Sequence, residues 1–176
     1  MSILFDEVVF GPVKSRRLGV SLGINLLPTE AKYCTFNCIY CECGWTREKL
    51  PGGTKLPDRN LVLDKLEEKL KAMQQADTPP DAITFAGNGE PTIHPQFPEI
   101  LEETISLKDR YFPEARVSVL SNASTLDKPA VFNALKRTGN SILKLDAGTE
   151  EMFRLINGPR GGITLHSIVE KLKQFE

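Results

Sequence analysis

The sequence predicts an α/β protein, a partial (β/α) barrel in which about four βα units share an open, curved parallel sheet. Three observations predict it. Short apolar runs flanked by Gly and Pro alternate with stretches whose apolar residues recur at helical spacing. From Ala82 onward this strand-then-helix pattern repeats three times. Counted from Leu22, the units number four, enough for an open sheet and too few for a closed barrel.

In chain order, Val8–Phe10 and Leu22–Leu27 read as strands, and a cysteine-rich segment follows the second. Leu50-Pro51-Gly52-Gly53-Thr54-Lys55 reads as a loop dense in turn residues. Leu63, Leu66, Leu70 and Met73 then mark a helix, supported by Glu67 and Lys71 at i,i+4 and ending before Thr78-Pro79-Pro80. Ala82–Ala86 is the next strand; Pro98 opens a helix with Phe97, Leu101 and Ile105 on one face. Arg116–Leu120 is a strand and Pro129–Arg137 a helix, with Asp127 placed to cap it. Ser141–Leu145 is the last strand. After the Gly-rich turn 158–162, Leu165, Ile168, Leu172 and Phe175 line the last helix. The organisation expected is one core domain over 1–176, with 1–21 as an N-terminal extension and 22–176 as βα repeats, shortened at the C-terminus.

Composition narrows the function classes. With 40% hydrophobic and 26% charged residues, the chain has the make-up of an ordinary soluble globular protein. Its longest apolar runs fall far short of the roughly 20 residues that cross a bilayer. The N-terminus lacks a basic region followed by a long apolar stretch, so a cytoplasmic location is expected. A net charge of −1 gives no overall attraction to nucleic acid or anionic membrane. Lys14-Ser15-Arg16-Arg17 is a small basic spot, read either as solvated surface or as a phosphate contact.

All four cysteines lie at 34, 38, 41 and 43. A disulfide framework would spread its cysteines to join distant segments; four within ten residues indicate metal or redox chemistry. In Cys34-Thr35-Phe36-Asn37-Cys38-Ile39-Tyr40-Cys41, three thiolates on one tight loop can each bind one iron of a four-iron cluster, leaving the fourth iron open to a ligand. The alternative is a structural zinc using Cys43, although the single residue between Cys41 and Cys43 is awkward for two ligands of one tetrahedral ion. Cys43 otherwise reads as a bystander.

Three further groups are candidates. Gly87-Asn88-Gly89-Glu90 follows the Ala82–Ala86 strand; its glycines permit close backbone approach, and Glu90 can receive an ammonium, although such a segment alone is equally a tight turn. Ser121 and Asn122, then Lys144 and Asp146, lie at the ends of the next two strands, where parallel sheets collect ligand groups and where caps also occur. His94 reads as a structural turn residue or a cavity group, and His166 as solvated.

The C-x₃-C-x₂-C spacing, with Tyr40 before its last cysteine, resembles the cluster loop of the radical S-adenosylmethionine (SAM) superfamily. Gly87-Asn88-Gly89-Glu90 resembles that family's Gly-Gly-Glu motif, with Asn88 in place of the first glycine of the pair. Asn is the non-glycine residue that best tolerates left-handed geometry. The order of the two motifs, one βα unit apart, strengthens the likeness. Gly11-Pro12-Val13-Lys14-Ser15-Arg16-Arg17-Leu18-Gly19 resembles a branch of iron–sulfur oxidoreductases grouped loosely with tRNA wyosine-base synthases. The resemblance implies a 4Fe-4S cluster on Cys34, Cys38 and Cys41, with SAM chelating the fourth iron. It implies reductive cleavage of SAM to a 5′-deoxyadenosyl radical acting on an unknown substrate. Tyr40 is then expected near the adenine, Gly87–Glu90 at the methionine amino group, and Ser121, Asn122, Lys144 and Asp146 at the ribose and carboxylate. Arg16 and Arg17 would meet an anionic substrate or the SAM carboxylate, unless they are surface charges. A flavodoxin or ferredoxin electron donor is expected. Rival readings are a tRNA-base modification enzyme and a non-catalytic zinc or Fe-S module. Family members usually carry six βα units, two more than are read here.

Overall fold

The computed structural model describes residues 3–46 and 54–176. Most of the loop expected at Leu50–Lys55 therefore lies outside the described residues. Five strands form one sheet in the order β1-β2-β3-β4-β5, comprising β1 (Val9–Ser15), β2 (Gly19–Ile24), β3 (Ala82–Phe85), β4 (Arg116–Ser121) and β5 (Asn140–Leu143). The last four run parallel, as expected of βα units, while β1 pairs antiparallel with β2. That pairing makes β1 the edge strand of the sheet. The Gly11-Pro12 step hides the continuity of β1, which runs on through Ser15 and turns directly into β2.

The register separates the two faces of the sheet. Leu22, Ile83 and Val117 lie side by side, as do Ile24, Phe85 and Val119, and all are buried. Helix α1 (Arg59–Gln75) supplies Val62, Leu66, Leu70 and Met73 to this core, and α2 (Phe97–Tyr111) supplies Phe97, Ile100 and Leu101. Val62, rather than the expected Leu63, is the first inward residue of α1. Glu67 and Lys71 pair at 3.3 Å as their spacing predicts. The opposite face carries small polar groups in the middle, Ser21 bonded to Thr84 at 2.7 Å and Ser118 receiving Asn140 at 3.0 Å. It then carries Leu120 and Ile142 toward the strand ends.

Helix α3 (Pro129–Arg137) follows β4 as expected, but Lys128 is its N-cap and gives no side-chain cap. Asp127 instead pairs with Lys171 of α5 (Leu165–Phe175) at 3.0 Å. An unforeseen helix, α4 (Glu150–Asn157), stands between β5 and α5. Thr149 caps its start by accepting from Met152 N, and Gly158 ends it in the left-handed conformation, φ 49°. No helix among the described residues is long and apolar enough to cross a membrane.

Candidate functional site

The cysteine segment leaves the C-terminal end of β2 and is seated on two supports. On one side Tyr33 N donates to Asn88 O at 2.8 Å, and Tyr33 O accepts from Glu90 N at 3.2 Å. On the other, α4 and its C-terminal turn receive the loop: Ile39 N donates to Ile156 O at 2.9 Å, Asn37 N to Asn157 O at 3.0 Å, and Arg160 N to Thr35 O at 3.0 Å. Phe36 fixes that side, buried edge-on against Phe153 of α4 with centroids 5.4 Å apart. The helix that sequence periodicity missed is thus the platform of the loop that spacing found.

Above these supports lies a cavity of about 500 Å³ at the C-terminal ends of β3, β4 and β5, within the range of small-ligand sites. Cys34, Cys38 and Cys41 line it, with Tyr40 from the same loop. Gly87, Gly89 and Glu90 enter from β3, Ser121 and Asn122 from β4, and Lys144 and Asp146 from β5. Leu120, Ile142, Leu143 and Leu145 add an apolar wall.

Asn88 departs from this gathering. Its side chain points away from the cavity, accepting from Phe5 N and donating to Phe5 O and Pro28 O, each at 2.8 Å. Nor is Asn88 in the left-handed region; the positive φ values belong to Gly87 (140°) and Gly89 (145°). The asparagine is explained by its side-chain bonds, which tie the N-terminal segment to the loop. The glycines are needed as glycines: a Cβ on Gly89 would stand 1.9 Å from Tyr33 O, the carbonyl that anchors the cysteine loop.

Glu90 is buried at 2% exposure, and its carboxylate is already occupied. One oxygen accepts from Ser121 Oγ at 2.8 Å, Thr92 Oγ1 at 2.5 Å and Thr92 N at 3.2 Å; the other accepts from Asn122 N at 2.6 Å. Desolvation raises its pKa, against the pull of those donors. Through these bonds Glu90 joins the ends of β3 and β4 at the cavity wall.

The β5 side is built differently. Lys144 Nζ lies 3.1 Å from Cys38 Sγ, 2.8 Å from Tyr40 Oη and 2.9 Å from Asp146 Oδ2. Tyr40 Oη donates to Asp146, which also accepts from Asn157 Nδ2 at 2.7 Å. Burial and the bond to Asp146 push the Tyr40 phenol up to about 12. Burial opposes the charge on Lys144, but its bonds to Tyr40, Asp146 and Cys38 outweigh that and hold its pKa above the ordinary range.

The three thiols line one cavity, each with its own polar neighbours. Among the described residues, no three His, Cys, Asp or Glu side chains are gathered closely enough to hold one metal ion. Donors are instead aimed at separate sulfurs. Phe36 N reaches Cys34 Sγ at 3.4 Å and Asn122 Nδ2 reaches it at 3.7 Å, while Asn157 Nδ2 stands 3.6 Å from Cys38 Sγ. Such bonds to sulfur are among the means by which a protein tunes a cluster. Burial pushes the Cys34 thiol up to about 11. Cys41 is held down at about 5, first by a hydrogen bond from Cys43, whose own thiol is pushed up as the donor. Cys43 also reaches Gly87 O at 3.6 Å.

The histidines take their structural roles. His94 is buried outside the cavity, with Nε2 2.9 Å from Pro57 O and Nδ1 accepting from Gln96 N; burial lowers its pKa. His166 is exposed on α5. Of the basic pair, Arg17 borders the cavity and Arg16 does not. The sequence did not single out two buried polar residues, one beside Cys38 Sγ and one lining the cavity. Asn157 is 1% exposed, and its Oδ1 has no partner among the described residues. Lys32 is 3% exposed and lines the cavity beside the cysteines. The signal available for Lys32 was a lysine two residues ahead of the first cysteine, which identifies nothing until burial is known.

Comparison with known proteins places these features. The model of the radical SAM superfamily matches residues 31–175. A UPF0026 protein of Helicobacter pylori is 35% identical over 172 residues, covering 96% of this chain and 51% of the relative. The UPF0026 protein MJ1312 of Methanocaldococcus jannaschii is 30% identical, with 96% and 49% covered. The chain therefore spans about half the length of these curated relatives. Among solved structures, TYW1 with a lysine-pyruvate adduct bound aligns with TM-score 0.55 at 18% identity, over 88% of this chain and 50% of that one. Native anSMEcpe with bound AdoMet aligns with TM-score 0.57 at 21% identity, over 88% and 40%. These likenesses concern the fold.

Proposed function

This chain belongs to the radical SAM superfamily, and from that premise we propose that it holds a 4Fe-4S cluster on Cys34, Cys38 and Cys41 and reductively cleaves SAM. The observation that carries the reading is the meeting of those three thiols with the C-terminal ends of β3, β4 and β5 around one cavity. When bound, the cluster would supply one electron to SAM, breaking a carbon–sulfur bond to give methionine and a 5′-deoxyadenosyl radical that abstracts hydrogen from a substrate.

The protein's part is binding and orientation. Backbone groups of Gly87 and Gly89, uncovered by any side chain, receive the methionine end, and Glu90 keeps Ser121 and Asn122 in place beside it. Tyr40, Lys144 and Asp146 meet the nucleoside and carboxylate groups. The apolar wall of Leu120, Ile142 and Leu145 excludes water from the reacting bond. A small flavodoxin or ferredoxin would deliver the electron. The chain's net charge of −1 gives no separate support for a tRNA substrate.

The test is anaerobic iron–sulfur reconstitution, dithionite reduction with SAM, and measurement of 5′-deoxyadenosine. Production is expected from the wild-type chain and not from the Cys34/Cys38/Cys41→Ala protein. A wild-type chain that takes up iron and sulfide yet yields no 5′-deoxyadenosine leaves a cluster-bearing module without catalysis. Uptake of one zinc in place of iron overturns the reading.

A further inference from the structure

Lys32 is buried at 3% exposure in the wall of the cavity. A lysine this deeply buried is costly unless its charge is balanced. It donates to a neutral acceptor, Gly44 O, at 2.8 Å. Among the described residues no carboxylate forms an ion pair with it. Lys32 lines the same cavity as Cys34, Cys38 and Cys41. Lys144, the other lysine at the cavity, is neutralised by Asp146. The Lys32–Gly44 bond also spans the whole cysteine segment, fixing the ammonium with respect to the loop.

We infer that Lys32 is the built-in counter-charge of the cysteine loop, a positioning residue that offsets thiolate charge and raises the reduction potential of the iron–sulfur group. The inference rests on the cluster reading above. Reduction adds one negative charge to the group. A cation fixed in the wall of the same cavity, in a poorly screened interior, stabilises the reduced form more than the oxidised one.

The test compares wild-type, Lys32→Met and Lys32→Arg proteins after reconstitution. Iron and sulfide content is measured first, and the cluster midpoint is then found by a redox titration followed by electron paramagnetic resonance. Lys32→Met is expected to shift the reduction equilibrium at least tenfold toward the oxidised form, about 59 mV more negative for one electron. Lys32→Arg, which keeps the charge, is expected to stay near wild type. A Lys32→Met cluster with an unchanged midpoint overturns the inference and leaves the cluster reading intact. Should Lys32→Met fold by far-UV circular dichroism yet hold no iron, loading by Lys32→Arg upholds the counter-charge. Loss of iron in both variants overturns it in favour of packing alone. A wild-type chain that takes no iron sinks the cluster reading, and the inference with it.

Discussion

The two sides of the cavity are built to different standards of closure. On the β3 side, Glu90, Ser121 and Asn122 are buried, and both Glu90 oxygens are committed to donors within the chain. On the β5 side, Tyr40 is 54% exposed, and it shares Lys144 and Asp146 in a network open to solvent. A ligand arriving at the first side meets fixed backbone. At the second it must displace or recruit hydrogen bonds that the free protein makes with itself. The first side is therefore where substitutions cost folding stability, and the second is where they cost affinity.

That contrast can be broken at its foundation. Phe153→Ala removes the ring that seats Phe36, and a loss of about 3–5 kcal/mol is expected in denaturant unfolding, with reduced iron uptake because the loop loses its platform. Glu90→Ala leaves buried donors from Thr92, Ser121 and Asn122 unpaired and is expected to cost about 2–3 kcal/mol. Glu90→Gln sharpens the point through pH. The folded-state pKa of Glu90 is raised above the ordinary 4.5, so its contribution to stability is complete below that value and is lost as pH rises through the folded pKa. The stability advantage of wild type over Glu90→Gln should therefore shrink as pH rises above 4.5 and then level off, as measured by urea unfolding across pH.

Lys144→Met addresses the open side. Its pair with Asp146 is partly exposed, so stability should change by no more than about 1 kcal/mol, while SAM affinity measured by calorimetry should fall about tenfold, or about 1.4 kcal/mol. Cys43→Ala is expected to have the smallest effect. It removes weak thiol bonds to Cys41 and Gly87 O, should cost less than about 1 kcal/mol, and should leave iron content unchanged. A fall in bound metal would instead make Cys43 a ligand.

The same contrast explains what the sequence reveals. The strands at Ala82–Phe85 and Arg116–Ser121 are legible because each is a short apolar run on a buried face. The cysteine spacing is legible because ligand geometry acts within one loop. Helix α4 was not, since at 8 residues it is barely two turns long and buries only Phe153 and Asn157. Its Thr149 cap and Gly158 stop were the available clues. Asn88 was misread because its value lies in bonds to Phe5 and Pro28, about 80 and 60 positions away, rather than in its backbone angles. Lys32 was missed because burial, not residue type, gives it meaning. Chemistry confined to one loop is visible in sequence; chemistry completed by distant segments is not.

Electron paramagnetic resonance of the reconstituted, dithionite-reduced chain, recorded with and without SAM, reads the open iron directly. If Cys34, Cys38 and Cys41 hold a cluster with one iron open to the cavity, the reduced signal is present, changes shape as SAM is added, and saturates with added SAM. A reduced cluster whose spectrum is unchanged at saturating SAM would contradict the account.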